Sequence, residues 1–214
     1  MKIAILCTDP YHPVMESLKY WKTQQNKNNH QVKIYTDKSE LESARILFLV
    51  SCGQMITEQE RQSFEKVLVL HASDLPEGRG WSPHIWRILE GESVITVSVL
   101  EASDPVDTGD IWAKQQFSLD GHELLPEINE KLFQVELNLM SYVVTHYQTI
   151  QPRKQTGFIS KTYPKRTPEN SRLELDLSLR DQINLLRVVD NQRYPAFFEY
   201  QNQKYILRID KVES

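Results

Sequence analysis

Short apolar runs alternate with longer amphipathic stretches along most of this chain. Met1–Cys7 is apolar apart from Lys2, the pattern of a strand buried on both faces of a parallel sheet. The stretch from Val14 to about Gln25, with Met15, Leu18 and Trp21 on one side, predicts a helix. Val32–Tyr35 and Ile46–Val50 read as second and third strands, with a short helix over Glu40–Ala44 between them. Val67–Leu70 is a further strand that stops at His71. Ser82 then Pro83 predicts a helix start, a hydroxyl N-cap before a proline suited to the first turn. Ile85, Trp86 and Leu89 give this helix its apolar side, and Gly91 suits its end. Strands over Val94–Leu100 and Ile111–Phe117 bracket an acidic turn. Leu125, Ile128, Leu132, Val135, Leu139 and Val143 then recur at helical spacing, predicting a long helix packed on the sheet. Alternation of strand and helix predicts an α/β fold, a doubly wound and mostly parallel sheet over residues 1–150.

Residues 151–214 read as a small C-terminal α+β subdomain. Gln151–Lys161, polar with Pro152 and Gly157, marks the boundary. A helix is predicted from about Ser178, with Ile183, Leu186 and Val189 on its apolar face, and Tyr194–Phe198 with Tyr205–Ile209 make a β unit. The 214 residues, 40% hydrophobic, suffice for one good core and this appendage.

Charge and cysteines narrow the classes. A net charge of −4 with no run of like charge argues against a nucleic-acid surface. Cys7 and Cys52 each end an apolar run and read as buried, reduced thiols rather than a disulfide or metal site. The N-terminus meets polar residues too early for a signal peptide, and no window approaches the ~20 apolar residues of a membrane span. A cytoplasmic protein that binds no metal and no membrane is the expectation. The turn Thr8–Pro13 is not glycine-rich, so the dinucleotide fingerprint and the P-loop are both missing after the first strand.

Candidate chemistry gathers between Val67 and Trp112. His71 sits at a strand end, Gly78-Arg79-Gly80 forms a permissive loop, and Asp104, Asp107 and Asp110 share a turn with Gly109. His71, Ser73, Leu75-Pro76, Arg79-Gly80, Pro83, Gly91, Asp107 and Gly109 stand in the order and spacing of one family signature. By them the chain resembles the formyltransferases that use 10-formyltetrahydrofolate, which share a Rossmann-like core. Arg166-Thr167-Pro168, the helix after it and Tyr194-Pro195-x-Ala-Phe resemble the tail of the sugar N-formyltransferase branch. The methionyl-tRNA formyltransferases share the core but carry a longer RNA-binding barrel, for which too little chain remains after the boundary.

The resemblance implies transfer of a formyl group from 10-formyltetrahydrofolate to the amine of a nucleotide-linked sugar, most simply a 4-amino sugar, in bacterial surface-polysaccharide biosynthesis. Formyl transfer needs a neutral amine, a stabilised oxyanion and a path for protons. His71 is the implied proton carrier, and Asp107 beside it orients the ring and favours its protonated form. Gly53, Gln54, Met55 and Ile56, with Leu100 and Asp104, are the expected folate pocket. Asp9, Tyr11, Arg79 and Trp81 are the expected acceptor contacts, with His12, Lys165 and Arg166 near them: aromatic rings for a base, cations for a diphosphate. The C-terminal β unit either covers the site or joins two copies in a homodimer.

The chain departs from the family at one reacting position. Val69 stands where the family has an Asn that donates to the formyl oxygen. The side chain of Gln54, protonated His71 and a backbone amide are the candidate substitutes. Asp74 also replaces an apolar residue and reads as a loop cap, ahead of a second acid or an amine ligand. Two other functions stay open: formylation of an aminoacyl or peptidyl amine, and a silent protein that binds folate or a sugar nucleotide.

Overall fold

The computed structural model describes residues 1–157 and 161–212. The first half runs β1 (Lys2–Leu6), α1 (Val14–Lys27), β2 (Gln31–Tyr35), β3 (Ala44–Leu49), α2 (Glu58–Arg61) and β4 (Phe64–His71). The two-residue β5 (Arg79–Gly80), α3 (Pro83–Leu89), β6 (Val94–Glu101), β7 (Ile111–Ser118) and α4 (Leu125–Thr145) follow. Beyond them lie the two-residue β8 (Thr162–Tyr163), α5 (Ile183–Arg187) and a hairpin of β9 (Ala196–Tyr200) and β10 (Gln203–Leu207). Six strands form one sheet in the order β2-β1-β3-β4-β6-β7. The first four are parallel, and β6 and β7 are antiparallel additions. The mostly parallel, Rossmann-like architecture read from the sequence is the observed one.

Both faces of the sheet are buried at its inner strands, which is why these read as apolar runs. On one face Ile3, Ile5, Phe48, Leu68 and Leu70 pack beneath α1 and α4. On the other, Ala4, Leu6, Leu47, Leu49 and Val67 pack with Tyr35 and Ile56. Strand alternation puts Val69 on this second face, where it is half-buried against the same cluster, and His71 follows in register.

Four local expectations change. In place of a helix over Glu40–Ala44 there is a single 3-10 turn, Lys38–Glu40, started by Asp37 accepting from the Ser39 amide at 2.8 Å. Ala44 already belongs to β3, so no room for a helix remains. Helix α2 was not anticipated, although Thr57-x-x-Glu60 is a capping box and both reciprocal bonds form. Ser82 does not cap α3 through its hydroxyl; it lies left-handed at φ 46°, turning the chain away from the β5–β8 pairing. The helix expected from Ser178 starts at Ile183, because Ser178 and Asp181 bond each other in a preceding turn.

The segment expected as a boundary is strapped to the core. Arg153 exchanges backbone hydrogen bonds with Ile111, at 2.7 and 2.9 Å, and β8 pairs with β5. Residues 158–160 of that segment lie outside the described residues. Helix α5 is docked by a buried ion pair, Arg187 Nη2 to Glu123 Oε2 at 3.4 Å, with Arg187 Nε donating to Glu123 O at 3.0 Å. Cys7 is buried and Cys52 partly so, and both are free. Among the described residues no helix is long and apolar enough to cross a membrane.

Two buried carboxylates load the fold in opposite senses. Burial disfavours the Glu123 anion, but Lys131 and the amides of Asp120 and Gly121 outweigh it and bring the group down to about 2. Its contribution is complete above the usual glutamate range and is lost as pH falls toward 2. Glu123→Gln is therefore expected to cost about 3 kcal/mol at pH 7 in urea unfolding, leaving Arg187 without its counter-charge. Glu136, on the buried side of α4, has an oxygen without a partner, and burial pushes it up to about 8. The folded state then holds a proton that the unfolded chain releases near 4.5. Stability declines as pH rises from there to about 8, by up to about 1.4 kcal/mol per unit. Glu136→Gln should abolish that decline, so its advantage over the parent protein should widen between pH 5 and 8.

Candidate active site

The parallel strands deliver three connections to one edge of the sheet: the turn after β1, the loop after β3, and His71 with the loop that follows β4. The acidic turn arrives differently. Because β6 runs antiparallel to β4, its end at Glu101 lies beside Leu68, halfway along that strand. The chain must fold back over the Val69 face to bring Asp107 to His71. Gly109 makes the fold-back possible, since a Cβ there would lie 1.9 Å from the Glu101 carbonyl oxygen. Asp107 takes a left-handed φ of 59°, which aspartate tolerates better than most residues.

His71 is buried and donates from Nε2 to Gly78 O at 3.0 Å, so its other nitrogen, Nδ1, is the one free to exchange a proton. That nitrogen is 3.7 Å from Asp107 Oδ1. The second carboxylate oxygen of Asp107 accepts from the Gly80 amide at 3.0 Å. The separation is longer than a hydrogen bond and leaves the imidazole–carboxylate pair open to a bridging proton donor.

Gln155 is the supporting residue that sequence reading missed. Its Nε2 donates to the carbonyls of Asp107 and Gly109, each at 2.9 Å, and its Oε1 accepts from Arg79 Nη2 at 3.0 Å. Arg79, expected to contact the acceptor, bonds Gln155 and so supports the clamp on the acidic turn. Nothing in the sequence around Gln155, a polar stretch read as a boundary, signals this role.

The loop after β3 is also tied down. Gly53 donates its amide to Thr8 Oγ1 at 2.7 Å, and Gln54 Oε1 accepts from the Lys38 amide at 3.1 Å. Met55 is 59% exposed beside buried Ile56. Arg61 of α2, also unanticipated, donates to Ile56 O at 2.8 Å and pairs with Asp104. It joins the two loops expected to hold folate. Leu100 is the exception: it pairs with Val69 and is 0% exposed, so its side chain offers no surface to a ligand. Its place in the expected pocket is withdrawn on that ground.

The expected acceptor residues are spread along the rim. Asp9 pairs with Arg193 at 2.9 Å, Tyr11 is 89% exposed, and half-exposed Trp81 lies under Lys165 at 4.9 Å. His12 accepts from the Val14 amide at 3.2 Å, and burial lowers its pKa. Asp74 caps nothing with its side chain; it pairs with Lys114 at 2.6 Å.

Known proteins match both the sequence and the fold. A family model described as formyl transferase matches residues 1–144. The methionyl-tRNA formyltransferase of Finegoldia magna is 32% identical over 127 residues, covering 59% of this chain and 40% of that protein. The chain thus spans less than half the length of that curated relative. Among solved structures, a methionyl-tRNA formyltransferase from Clostridium thermocellum superposes with a TM-score of 0.84 at 24% identity, covering 100% of this chain and 94% of that one. A sugar N-formyltransferase from Shewanella sp. superposes at 0.75 and 14% identity, covering 100% and 99%. Both likenesses are of fold. With a family match over the sheet, His71 and Asp107 alike, the chain belongs to the formyl transferase family.

Proposed function

We propose that this protein is an N-formyltransferase that moves the formyl group of 10-formyltetrahydrofolate to the amine of a nucleotide-linked amino sugar. The observation that carries the reading is His71 Nδ1 facing Asp107 across 3.7 Å, at the cleft edge of a formyl transferase core. The fit of a folate rests on the cleft wall. Exposed Met55 and half-buried Val69 offer apolar surface to a flat ring, and Arg61 holds the loop of Gly53–Ile56 to Asp104. When bound, the folate supplies the formyl carbon.

This chain's own residues then manage the protons. Gly78 O fixes the imidazole through Nε2, so Nδ1 takes the proton lost by the attacking amine and returns one to the departing nitrogen. Asp107, held by Gly80, keeps the ring oriented and favours its charged form during the transfer. Val69 donates nothing to the formyl oxygen. Gln54, through Oε1, is engaged by Lys38.

A second reading has its own support. The 32% identity to a methionyl-tRNA formyltransferase favours an aminoacyl amine as acceptor. Release of tetrahydrofolate should be followed across UDP- and dTDP-linked amino sugars, with methionyl-tRNA beside them. Turnover with one sugar and none with the tRNA is expected; the reverse pattern selects the second reading. Binding of folate without turnover on either would make the protein a silent binder.

Two variants sharpen the assay. His71→Ala is expected to lower kcat by a factor of about 10²–10⁴ with little change in folate affinity. Val69→Asn is expected to raise kcat by about tenfold or more by restoring an oxyanion donor. It should also cost about 1 kcal/mol of stability, since its amide would sit against the apolar cluster of that sheet face. An unchanged kcat would show that another donor already serves the formyl oxygen.

A further inference from the structure

Among the described residues, two buried nitrogens on neighbouring segments lack a hydrogen-bond partner: Nδ1 of His84 in α3, and Nε of Arg166 just after β8. The segments are fixed side by side. Trp86 donates its indole N–H to Pro164 O at 3.1 Å, and its ring stacks on Tyr163 with centroids 6.0 Å apart. The Arg166 guanidinium donates to Val188 O at 3.4 Å and Asn170 O at 3.1 Å, both neutral carbonyls. Among the described residues no carboxylate pairs with its charge. Burial lowers the pKa of Arg166, and it pushes His84 down to about 4, with His71, His12 and Arg166 adding positive repulsion.

A partly buried cation without a counter-charge is costly, and buried polar atoms without a partner are rare in folded proteins. A bound anion resolves both defects. Its oxygens would accept from Arg166 Nε–H and, once the imidazole is protonated, from His84 Nδ1–H. We infer that His84 and Arg166 form a phosphate subsite for the acceptor beside His71, and that His84 takes up a proton as the phosphate binds. That the phosphate belongs to the acceptor rests on the nucleotide-sugar reading above. Lys165, the neighbouring cation, is exposed over Trp81 and plays no part in this buried pair.

The charged and titratable surroundings of His84 are few. They are His71 at the end of β4, His12 in the turn after β1, Arg166, and Arg87 on its own helix. Arg187 of α5, against which α3 packs, is already engaged by Glu123. Protonation of His84 therefore needs a bound anion to offset its neighbours.

Isothermal titration at pH 7 with sodium sulfate, inorganic pyrophosphate and acetate, in buffers of different ionisation heat, tests this. Pyrophosphate and sulfate are expected to bind and acetate to fail. Sulfate, which does not itself titrate here, should bring uptake of about one proton, absent in His84→Gln. Arg166→Met should weaken pyrophosphate about tenfold or more, and Arg166→Lys less, with unfolding midpoints checked for each. Absence of sulfate and pyrophosphate binding, binding without proton uptake, or acetate binding as tightly as sulfate would each overturn the subsite. The titration contains neither folate nor amine. Formyl transfer to a nucleotide sugar without pyrophosphate binding would sink the subsite alone, and pyrophosphate binding without such transfer would sink the acceptor reading alone.

Discussion

The fold-back at Asp107 is the constraint on which the site depends. An antiparallel β6 carries the chain away from the edge where His71 ends, and only a tight return restores the pairing of imidazole and carboxylate. The return is built from backbone contacts that leave no space for side chains. Gly109 lies on the Glu101 carbonyl, and Gly80 lies so close to Tyr163 that a Cβ would be 2.2 Å from its oxygen. Asp107 bridges the two by accepting from the Gly80 amide, in a left-handed conformation that surrounding structure must hold. The glycine spacing around His71 is thus a steric requirement of one turn pressed against two neighbours.

Much of this was legible because it is periodic or steric. Buried parallel strands write themselves as continuous apolar runs, and α4 as a helical repeat, so the sheet and its long helix could be read directly. His71 and Asp107 were singled out by the resemblance of the residues around them to a family signature, not by periodicity, and the fold brings them within 3.7 Å. Gln155 and Arg61 could not be read. Each acts through one or two hydrogen bonds to carbonyls or a carboxylate brought near only by the fold, and an isolated polar residue in a polar stretch carries no pattern. Helix α2 is a different case: Thr57-x-x-Glu60 was a readable capping box, overlooked because four residues show no periodicity. Leu100 was assigned to the pocket by the resemblance alone, but it lies within β6 and is wholly buried.

The two faces of the sheet are built for different tasks. One is sealed by α1 and α4 and tolerates even an unpartnered carboxyl at Glu136. The other is covered by connections: the 3-10 turn, α2 and the acidic loop. These are held by point contacts such as Arg61 to Asp104 and Lys38 to Glu60 rather than by a helix face. Connections of this kind open at lower free energy than packed helices.

The family match ends at residue 144, yet the site does not. Gln155 clamps the acidic turn, Tyr163 pairs with Gly80, Trp86 of α3 donates to Pro164 O, and Arg193 reaches back to Asp9. Arg187 anchors α5 through Glu123, beside the strap at Arg153 and the β5–β8 pairing. The proton-transfer pair sits inside the matched region, and the cations beside it come largely from outside. The turn at Asp107 is therefore supported by residues of the C-terminal segment, and a change at Gln155 or Tyr163 would be felt at that turn.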